Sequence, residues 1–211
     1  MTNEEYYSYI RKFFRIWSKF YDLTDIFIAS IRKTTVNMTG ADSGDKILDV
    51  ATGTGKQAFA FAQKGYRVVG IDLSEDMLRI AIKHNKNKNL IFKEADARSM
   101  PFNANEFDSS CISFALHDMP VDVRENVLQE MVRVTKPNGT IMIIDYSLPA
   151  NKIGKYLIYH FVKMYESVYY AQFIKADLKS LLTKSGIKVI AEYPVLVGGG
   201  IIFKAANMKI S

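Results

Sequence analysis

The segment Ile47 to Gly55, which reads Ile-Leu-Asp-Val-Ala-Thr-Gly-Thr-Gly, constrains the fold more than any other part of the chain. A short β-branched run ends in an acid, two glycines follow, and the apolar spacing after Gly55 is helical. This pattern predicts a strand, a tight turn and a helix. The glycines let the backbone approach a ligand closely, and the helix N-terminus offers free N–H groups to negative charge. We therefore expect a ligand site at this turn.

From Lys46 onward, predicted strands alternate with predicted helices, which favours a mostly parallel sheet with helices on both faces, the doubly wound α/β class. The strands are predicted at 46–50, 67–71, 89–94, 107–114 and 139–145, and the helices at 55–64, 75–86 (N-cap Ser74), 121–135, 151–171 and 175–185. A turn is predicted at Pro137-Asn138-Gly139, just before the last of these strands. Two further strands, 187–196 and 201–205, are joined through three consecutive glycines. Such a tight link predicts an antiparallel pair at one edge of the sheet.

The chain is predicted to form one domain over residues 1–211, with helical caps on its main body. Residues 1–45 form an N-terminal helical cap, with amphipathic helices over 4–33 and a loop at 37–45. Residues 46–150 form the cofactor-binding half, and 151–211 form an inserted cap helix and a substrate half. For the N-terminal helices, packing on the core is the first expectation. A lid over an apolar ligand and an interfacial helix on a membrane are the alternatives.

Composition narrows the class of protein. The net charge is +6, but the excess lysines are scattered, which favours a solvated surface over nucleic-acid binding. The single cysteine, Cys111, excludes a disulfide framework and predicts a buried reduced thiol in a cytoplasmic compartment. No signal peptide and no apolar run of about 18 residues is visible, so we expect no transmembrane helix. No cluster of His, Asp and Glu has metal-ligand spacing, so no metal is expected.

Two features point to an adenine nucleoside as the ligand. Gly53 to Ala58 fits the pattern G-x-G-x-x-G/A, which several nucleotide-binding classes share. Asp72 ends the second strand about 20 residues past the first glycine, where an acid can accept hydrogen bonds from both ribose hydroxyls. These features do not separate a dinucleotide from S-adenosylmethionine.

Three more features favour S-adenosylmethionine over a dinucleotide oxidoreductase. Asp49 suits the amino end of a methionine better than a pyrophosphate, which it would repel. A third acid, Asp96, ends strand three, where it can accept from an adenine amino group. The chain closes with the two-strand edge and leaves no room for a large second catalytic domain.

At these residues the sequence resembles class I S-adenosylmethionine-dependent methyltransferases. It is most similar to the ubiquinone/menaquinone-biosynthesis C-methyltransferase family, from about Tyr21 to the end. The matching segments are 20–23, 48–55, 70–74, 95–97, 100–102, 107–108, 113–116, 136–139 and 198–201.

The resemblance implies a Rossmann-like, seven-stranded sheet whose last strand is antiparallel, with N-terminal and inserted helical caps. It also implies which residues bind S-adenosylmethionine. Gly53, Thr54 and Gly55 would hold the methionine part with Asp49 nearby, Asp72 the ribose, Leu73 and Met77 the faces of the adenine, Asp96 and Ala97 its edge, and Ser113 the sulfonium end. Ala51, Thr52 and Ser74 complete the predicted cofactor set.

Methyl transfer needs alignment more than strong chemistry, and a general base is needed only when the acceptor must lose a proton. His117, beyond strand four, is the first candidate base and Tyr21 the second, with Asp118, Asp145 and Tyr146 nearby. Alternatively, His117 caps a turn or contacts the cofactor.

The aromatic caps predict a small hydrophobic acceptor, such as a quinol precursor or a lipid-like molecule. Nucleic acid is not expected, and peripheral membrane contact remains open. A phospholipid or other small-molecule N- or O-methyltransferase is one alternative. An S-adenosylmethionine-binding module without turnover is the non-enzyme alternative.

Overall fold

The chain is seen in a computed structural model that describes residues 25–164 and 167–209, with side chains from residue 28 onward. Seven strands form one sheet in the order β3-β2-β1-β4-β5-β7-β6. The strands are β1 Lys46–Val50, β2 Arg67–Asp72, β3 Leu90–Glu94, β4 Phe107–Ser113, β5 Thr135–Tyr146, β6 Ile187–Val195 and β7 Gly200–Asn207. β7 is antiparallel to both of its neighbours, and the other neighbouring pairs are parallel. The predicted fold class and the antiparallel last strand are confirmed.

The described ranges contain seven α-helices: α1 Asp25–Thr39, α2 Lys56–Gln63, α3 Glu75–His84, α4 Val121–Val134, α5 Lys152–Lys163, α6 Tyr170–Lys175 and α7 Leu178–Lys184. Both faces of the sheet are buried, as the near-continuous apolar strands require. On β1, Leu48 packs in one core cluster with residues of α4, α6 and α7, while Ile47 packs in the other with residues of α1 and α2. None of the described helices is both long and apolar enough to cross a membrane.

The first described helix differs from the prediction. α1 extends to Thr39, into the segment predicted as a loop. The hydroxyls of Thr35 and Thr39 donate to backbone carbonyls four residues earlier, so these side chains satisfy their polar groups within the helix. Val36 and Ile31 are buried in the core. The described part of the N-terminal segment thus packs on the sheet, as expected first.

The fifth strand is longer than predicted. β5 begins at Thr135 and runs through Pro137 to Gly139, where the sequence predicted a turn. The pairing with β4 shifts register there, and Asn138 has a positive φ of 59°. The residues of the predicted turn therefore form an irregularity inside a strand, which is a common use of such residues at sheet edges and bends.

The predicted helix over 151–171 is wrong as a single helix. α5 ends at Lys163, and a separate short helix, α6, begins at Tyr170. Before α6, the Ser167 hydroxyl accepts a hydrogen bond from the Tyr169 N–H, and the Ser167 carbonyl accepts from the Tyr170 N–H. This turn directs the Tyr170 side chain, which is fully buried, toward the sheet. The chain thus buries the Tyr170 ring in a separate short helix and does not continue α5 to residue 171.

Other predictions hold. Ser74 caps α3, since its hydroxyl accepts from the Met77 N–H at 3.4 Å. Cys111 is a free, fully buried thiol. β6 and β7 form the antiparallel pair at the sheet edge, with β6 outermost. The link between them is a turn, Leu196–Gly198, in which Leu196, Val197 and Gly198 all have positive φ.

Candidate cofactor and active site

The predicted cofactor residues meet at one edge of the sheet. They lie at or just beyond the carboxyl ends of β1, β2, β3 and β4, which are neighbours in the sheet. Between β1 and β4 the strand order reverses, and in open α/β sheets the crevice at such a point is the usual ligand site. The residues brought together there are Asp49, Ala51 to Gly55, Asp72 to Ser74, Met77, Asp96, Ala97 and Ser113.

The glycine turn between β1 and α2 is shaped by one aromatic ring. Gly55 has a φ of +82°, and a Cβ placed there would lie 2.6 Å from Cζ of Phe92 on β3. A Cβ at Gly70 would lie 2.7 Å from Cδ1 of the same ring. Gly53 has a φ of +55° but no atom within 4 Å of a built Cβ. The turn is therefore packed tightly beneath Gly55 and open beside Gly53, which leaves room for a ligand against its backbone.

Two non-glycine residues at this edge adopt left-handed backbone conformations. Ala51 follows β1 with a φ of 53°, and Phe114 follows β4 with a φ of 50°. Strain of this kind, about 1–3 kcal/mol per residue, persists where the surrounding structure imposes it and clusters at functional sites. Ala51 belonged to the predicted set. Sequence reasoning missed Phe114, since nothing in a phenylalanine signals a positive φ.

Asp49 is a buried acid held by neutral donors. Its side chain is 1% exposed, and the Thr52 hydroxyl donates to its Oδ2 at 2.5 Å. Burial raises the pKa of Asp49 from 3.8 to about 7, and the nearby charge of Asp72 adds to this increase, while hydrogen bonds from Thr52 and the Ala58 backbone oppose it. No Lys, Arg or His of the described ranges forms an ion pair with it. The site therefore favours a positively charged ligand.

Asp72 ties the glycine turn to the end of β2. Its Oδ2 accepts from the Gly53 N–H at 2.8 Å, and its Oδ1 accepts from the Ser74 N–H at 2.8 Å. Burial raises the pKa of Asp72, and these backbone donors, with that of Leu73, act against the rise. Because a carboxylate offers about four acceptor positions, each oxygen can still accept a hydroxyl of a ligand.

The residues after Asp72 differ in how much surface they leave for a ligand. Ser74 and Met77 are 3% and 2% exposed, and the Ser74 hydroxyl is used by the helix cap. Leu73 is only partly buried. Of these three predicted contacts, Leu73 presents the most accessible side chain.

The third acid is already engaged within its own loop. The Asp96 carboxylate accepts from the Arg98 guanidinium, with Nη2 at 3.0 Å from Oδ2, and from the Arg98 backbone N–H at 2.9 Å. Its side chain is 33% exposed, and Ala97 is also half-buried. Arg98 thus fixes the direction of Asp96, a role that sequence reasoning did not assign.

Ser113 lies on the same side of the sheet as Asp49. Cys111 pairs with Asp49 across β1 and β4, and Ser113 follows two residues later on the same face. The Ser113 side chain forms a hydrogen bond with the Cys111 thiol, whose pKa is raised well above its usual value by burial. Asp49, Cys111 and Ser113 therefore form a polar row on one face.

His117 lies on a 3-10 turn, Leu116–Asp118, that follows β4, and it is 2% exposed. Its Nδ1 lies 2.7 Å from Oδ1 of Asp145 at the end of β5, and its backbone N–H donates to Oδ2 of the same carboxylate at 3.2 Å. Its Nε2 lies 3.5 Å from Oδ2 of Asp118. A carboxylate thus lies beside each ring nitrogen.

Arg124 on α4 supports the turn that carries His117. Its Nε donates to the Leu116 carbonyl at 2.9 Å and its Nη2 to the Met119 carbonyl at 2.7 Å. Arg124 is 1% exposed, and its guanidinium lies over the Phe173 ring. Sequence reasoning missed this residue, although a basic residue at helical spacing from apolar core positions was a visible signal.

Aromatic rings form a wall from His117 to α5. The His117 ring lies 4.7 Å from that of Tyr146, which lies 5.6 Å from that of Tyr170. Tyr170 in turn lies 6.0 Å from Tyr159 on α5. Tyr21, the second predicted base, lies outside the described residues. No group of three His, Cys, Asp or Glu side chains in the described part of the chain is arranged to hold a metal ion.

Residues 47–139 match the family model described as a methyltransferase domain. The chain is 37% identical over 118 residues to a demethylmenaquinone methyltransferase of Renibacterium salmoninarum, covering 56% of this chain and 48% of that protein. It is 33% identical over 129 residues to a ubiquinone/menaquinone biosynthesis C-methyltransferase of Pseudomonas entomophila, covering 58% of this chain and 50% of that protein. The chain thus spans about half the length of the curated relatives that it matches.

The fold also matches solved structures. A SAM-dependent methyltransferase from Aquifex aeolicus superposes with a TM-score of 0.70 at 22% identity, covering 90% of this chain and 97% of that chain. At this identity the likeness concerns the fold. The predicted resemblance to class I methyltransferases, and to the quinone-biosynthesis family among them, is confirmed by these matches.

Proposed function

We propose that this protein binds S-adenosylmethionine at the glycine turn and transfers its methyl group to a small hydrophobic acceptor. The observation that carries the proposal is a pair of carboxylates, the buried Asp49 and the partly buried Asp72, which have no cationic partner among the residues that the structure describes. Leaving a charge buried without a partner is costly, so such a pair favours a ligand that brings positive charge. The pyrophosphate of a dinucleotide would raise that cost.

The residues fit S-adenosylmethionine in charge and in shape. Asp49 would receive the amino group, the open backbone at Gly53 would lie along the methionine part, and Asp72 would accept the ribose hydroxyls. Leu73 and Met77, with Asp96 and Ala97, would surround the adenine, and Ser113 would line the sulfonium end. Ala51, Thr52, Thr54, Gly55 and Ser74 shape the turns that hold these groups. When bound, the cofactor supplies an electrophilic methyl group on a positively charged sulfur.

A hydrophobic acceptor, such as a quinol precursor, is supported by the aromatic wall of Tyr146, Tyr170 and Tyr159. The names of the two curated relatives point the same way, since one is a demethylmenaquinone methyltransferase and the other a C-methyltransferase of ubiquinone/menaquinone biosynthesis. Phospholipid and other N- or O-acceptors are the second class. A reducing, cytoplasmic setting belongs to the proposal and rests on the single free thiol.

For an acceptor that must lose a proton, His117 is the proposed base, and Tyr21 is the second candidate. Asp145 holds Nδ1 of the ring, so Nε2, which faces Asp118, is the nitrogen proposed to take the proton from an acceptor hydroxyl. The charge that the ring then gains lies between the carboxylates of Asp145 and Asp118. General base catalysis of this kind contributes about 10²–10⁴-fold to a rate.

Calorimetric titration with S-adenosylhomocysteine, with NAD as the control, tests the cofactor. The proposal expects binding of S-adenosylhomocysteine alone, and binding of NAD alone would overturn it. Transfer of a labelled methyl group into quinol and phospholipid extracts then tests turnover. Cofactor binding without transfer to any extract would favour the binding module. A rate lost in His117→Gln, with unchanged cofactor affinity, would support the base.

A further inference from the structure

The outer face of α5 is apolar and exposed to an unusual degree. Of its 12 residues, only Val162 is buried. Ile153 is 76% exposed, Leu157 60% and Phe161 63%, and Met164 just after the helix is 78% exposed. Spacings of four, four and three residues place these side chains in one stripe along the helix. We call this stripe the α5 face.

Positive charge borders the α5 face. Lys152, Lys155 and Lys163 are all exposed, and residues 147–164 contain no acidic residue. An amphipathic helix with exposed large apolar side chains and flanking lysines is typical of helices that lie in the surface of an anionic membrane. Each lysine near such a surface adds about 1 kcal/mol of attraction.

Two other occupants fit the charges less well. A second copy of this chain that packed its α5 face on the first would bring two sets of lysines together without an acid between them, which is unfavourable. Residues 1–24 carry four basic and three acidic side chains, so that segment offers little negative charge to complement the lysines. Anionic lipid matches both features, because its acyl chains can bury the apolar α5 face and its head groups can pair with the bordering lysines.

We propose that the α5 face docks this protein on the surface of an anionic lipid bilayer. The inner side of the same helix contacts the site: Tyr159 reaches Tyr170 of the aromatic wall, and Ile158 lies beside Gly199. One helix therefore separates the bilayer from the region proposed for the acceptor. That delivery role rests on the proposed function, whereas docking itself does not require methyl transfer.

Vesicle binding of the full-length chain tests the proposal. We expect the protein to co-sediment with phosphatidylcholine vesicles that contain phosphatidylglycerol and to stay in solution with phosphatidylcholine alone. The double variant Ile153→Glu, Leu157→Glu should lose this binding. The matched control, Ile82→Glu with Ile190→Glu, changes two apolar side chains that are each 59% exposed on α3 and β6, and it should bind as the wild type does. Removing the border lysines should weaken binding about fivefold per lysine.

A labelling experiment separates the bilayer from the other occupants. Because the natural Cys111 is fully buried, a maleimide added to Leu157→Cys reports mainly on position 157. We expect fast labelling in solution and slow labelling with anionic vesicles, while Ile190→Cys labels at the same rate in both. Slow labelling without vesicles would mean that the chain or a second copy covers the face, and it would overturn the proposal, as would equal loss of binding in both double variants.

The cofactor titration stays independent of this outcome. If vesicles bind but S-adenosylhomocysteine does not, the proposed function fails and the docking surface stands. If S-adenosylhomocysteine binds and anionic vesicles do not, the docking surface fails alone.

Discussion

Replacing Asp49 by Asn should stabilise the ligand-free protein, and by more as the pH rises. In the folded protein the pKa of Asp49 is about 7, compared with 3.8 for an unburied aspartate. The folded state therefore keeps a proton that the unfolded state loses, so the wild type loses stability as the pH rises from about 4 to about 7. At about 1.36 kcal/mol per pKa unit, this one group lowers the free energy of unfolding by up to about 4 kcal/mol. Asparagine cannot ionise, so the free energy of unfolding of the variant does not decrease in this way.

Urea unfolding of wild type and Asp49→Asn, without ligand and across that pH range, measures the effect. All other titrating groups are common to both proteins, so the difference in free energy of unfolding reports on Asp49 and its interaction with Asp72. It should grow in favour of the variant up to pH 7 and then level off. Asp122→Asn, which changes an exposed carboxylate on α4, controls for a general loss of negative charge. A difference that stays constant within about 0.5 kcal/mol, or one that shrinks with rising pH, would refute the reasoning.

The same substitution should have the opposite effect on ligand binding. A positively charged amino group beside Asp49 favours its ionised form, so binding below pH 7 should release a proton and tighten as the pH approaches 7. In Asp49→Asn, affinity for S-adenosylhomocysteine should be weaker and depend less on pH in this range. Calorimetry in two buffers of different ionisation enthalpy counts the released protons. An equal proton release by both proteins would contradict this role.

Four further substitutions test other parts of the site. Gly55→Ala should cost about 2–5 kcal/mol in urea unfolding, because its Cβ would meet an aromatic ring of β3 in a left-handed backbone, whereas Gly53→Ala, with open space, should cost only about 1–2 kcal/mol. Asp72→Asn should weaken S-adenosylhomocysteine binding by about 1–3 kcal/mol in calorimetry through lost charge-assisted hydrogen bonds, and unchanged affinity would remove it from the ribose role. Arg124→Met should lower the free energy of unfolding, measured with urea, by about 1–3 kcal/mol, because two backbone carbonyls lose their donor. A loss below about 0.5 kcal/mol would show that the turn holding His117 does not depend on Arg124.

The main sheet could be predicted because each buried parallel strand leaves a local apolar pattern. Strand and turn at Lys46 to Gly55, the acid at Asp72 and the cap at Ser74 depend on residues close together in the sequence. The two strands near the end could also be predicted, because three consecutive glycines tolerate the backbone angles of a tight link, although the turn itself is Leu196–Gly198. These elements could be predicted without knowing which other strands and helices they pack against.

The predictions were wrong where contacts between residues far apart in the sequence determine the local structure. The break between α5 and α6 follows from burying Tyr170 beside Tyr146, two residues far apart in the chain. The irregularity in β5 depends on its register with β4. The carboxylate of Asp145 beside His117 was visible only as a nearby candidate, since the distance between the two side chains depends on how β4 and β5 align.

The Phe92 ring links three positions that are far apart in the sequence. It fills the space that a side chain at Gly55 or at Gly70 would need. The size of the residue at position 92 and the absence of side chains at the two glycines therefore depend on each other. Related chains that carry a larger residue at either glycine position should carry a smaller one at position 92. A pairwise substitution such as Gly70→Ala with Phe92→Leu should be less harmful than the first change alone, and natural variation at these three sites should be correlated.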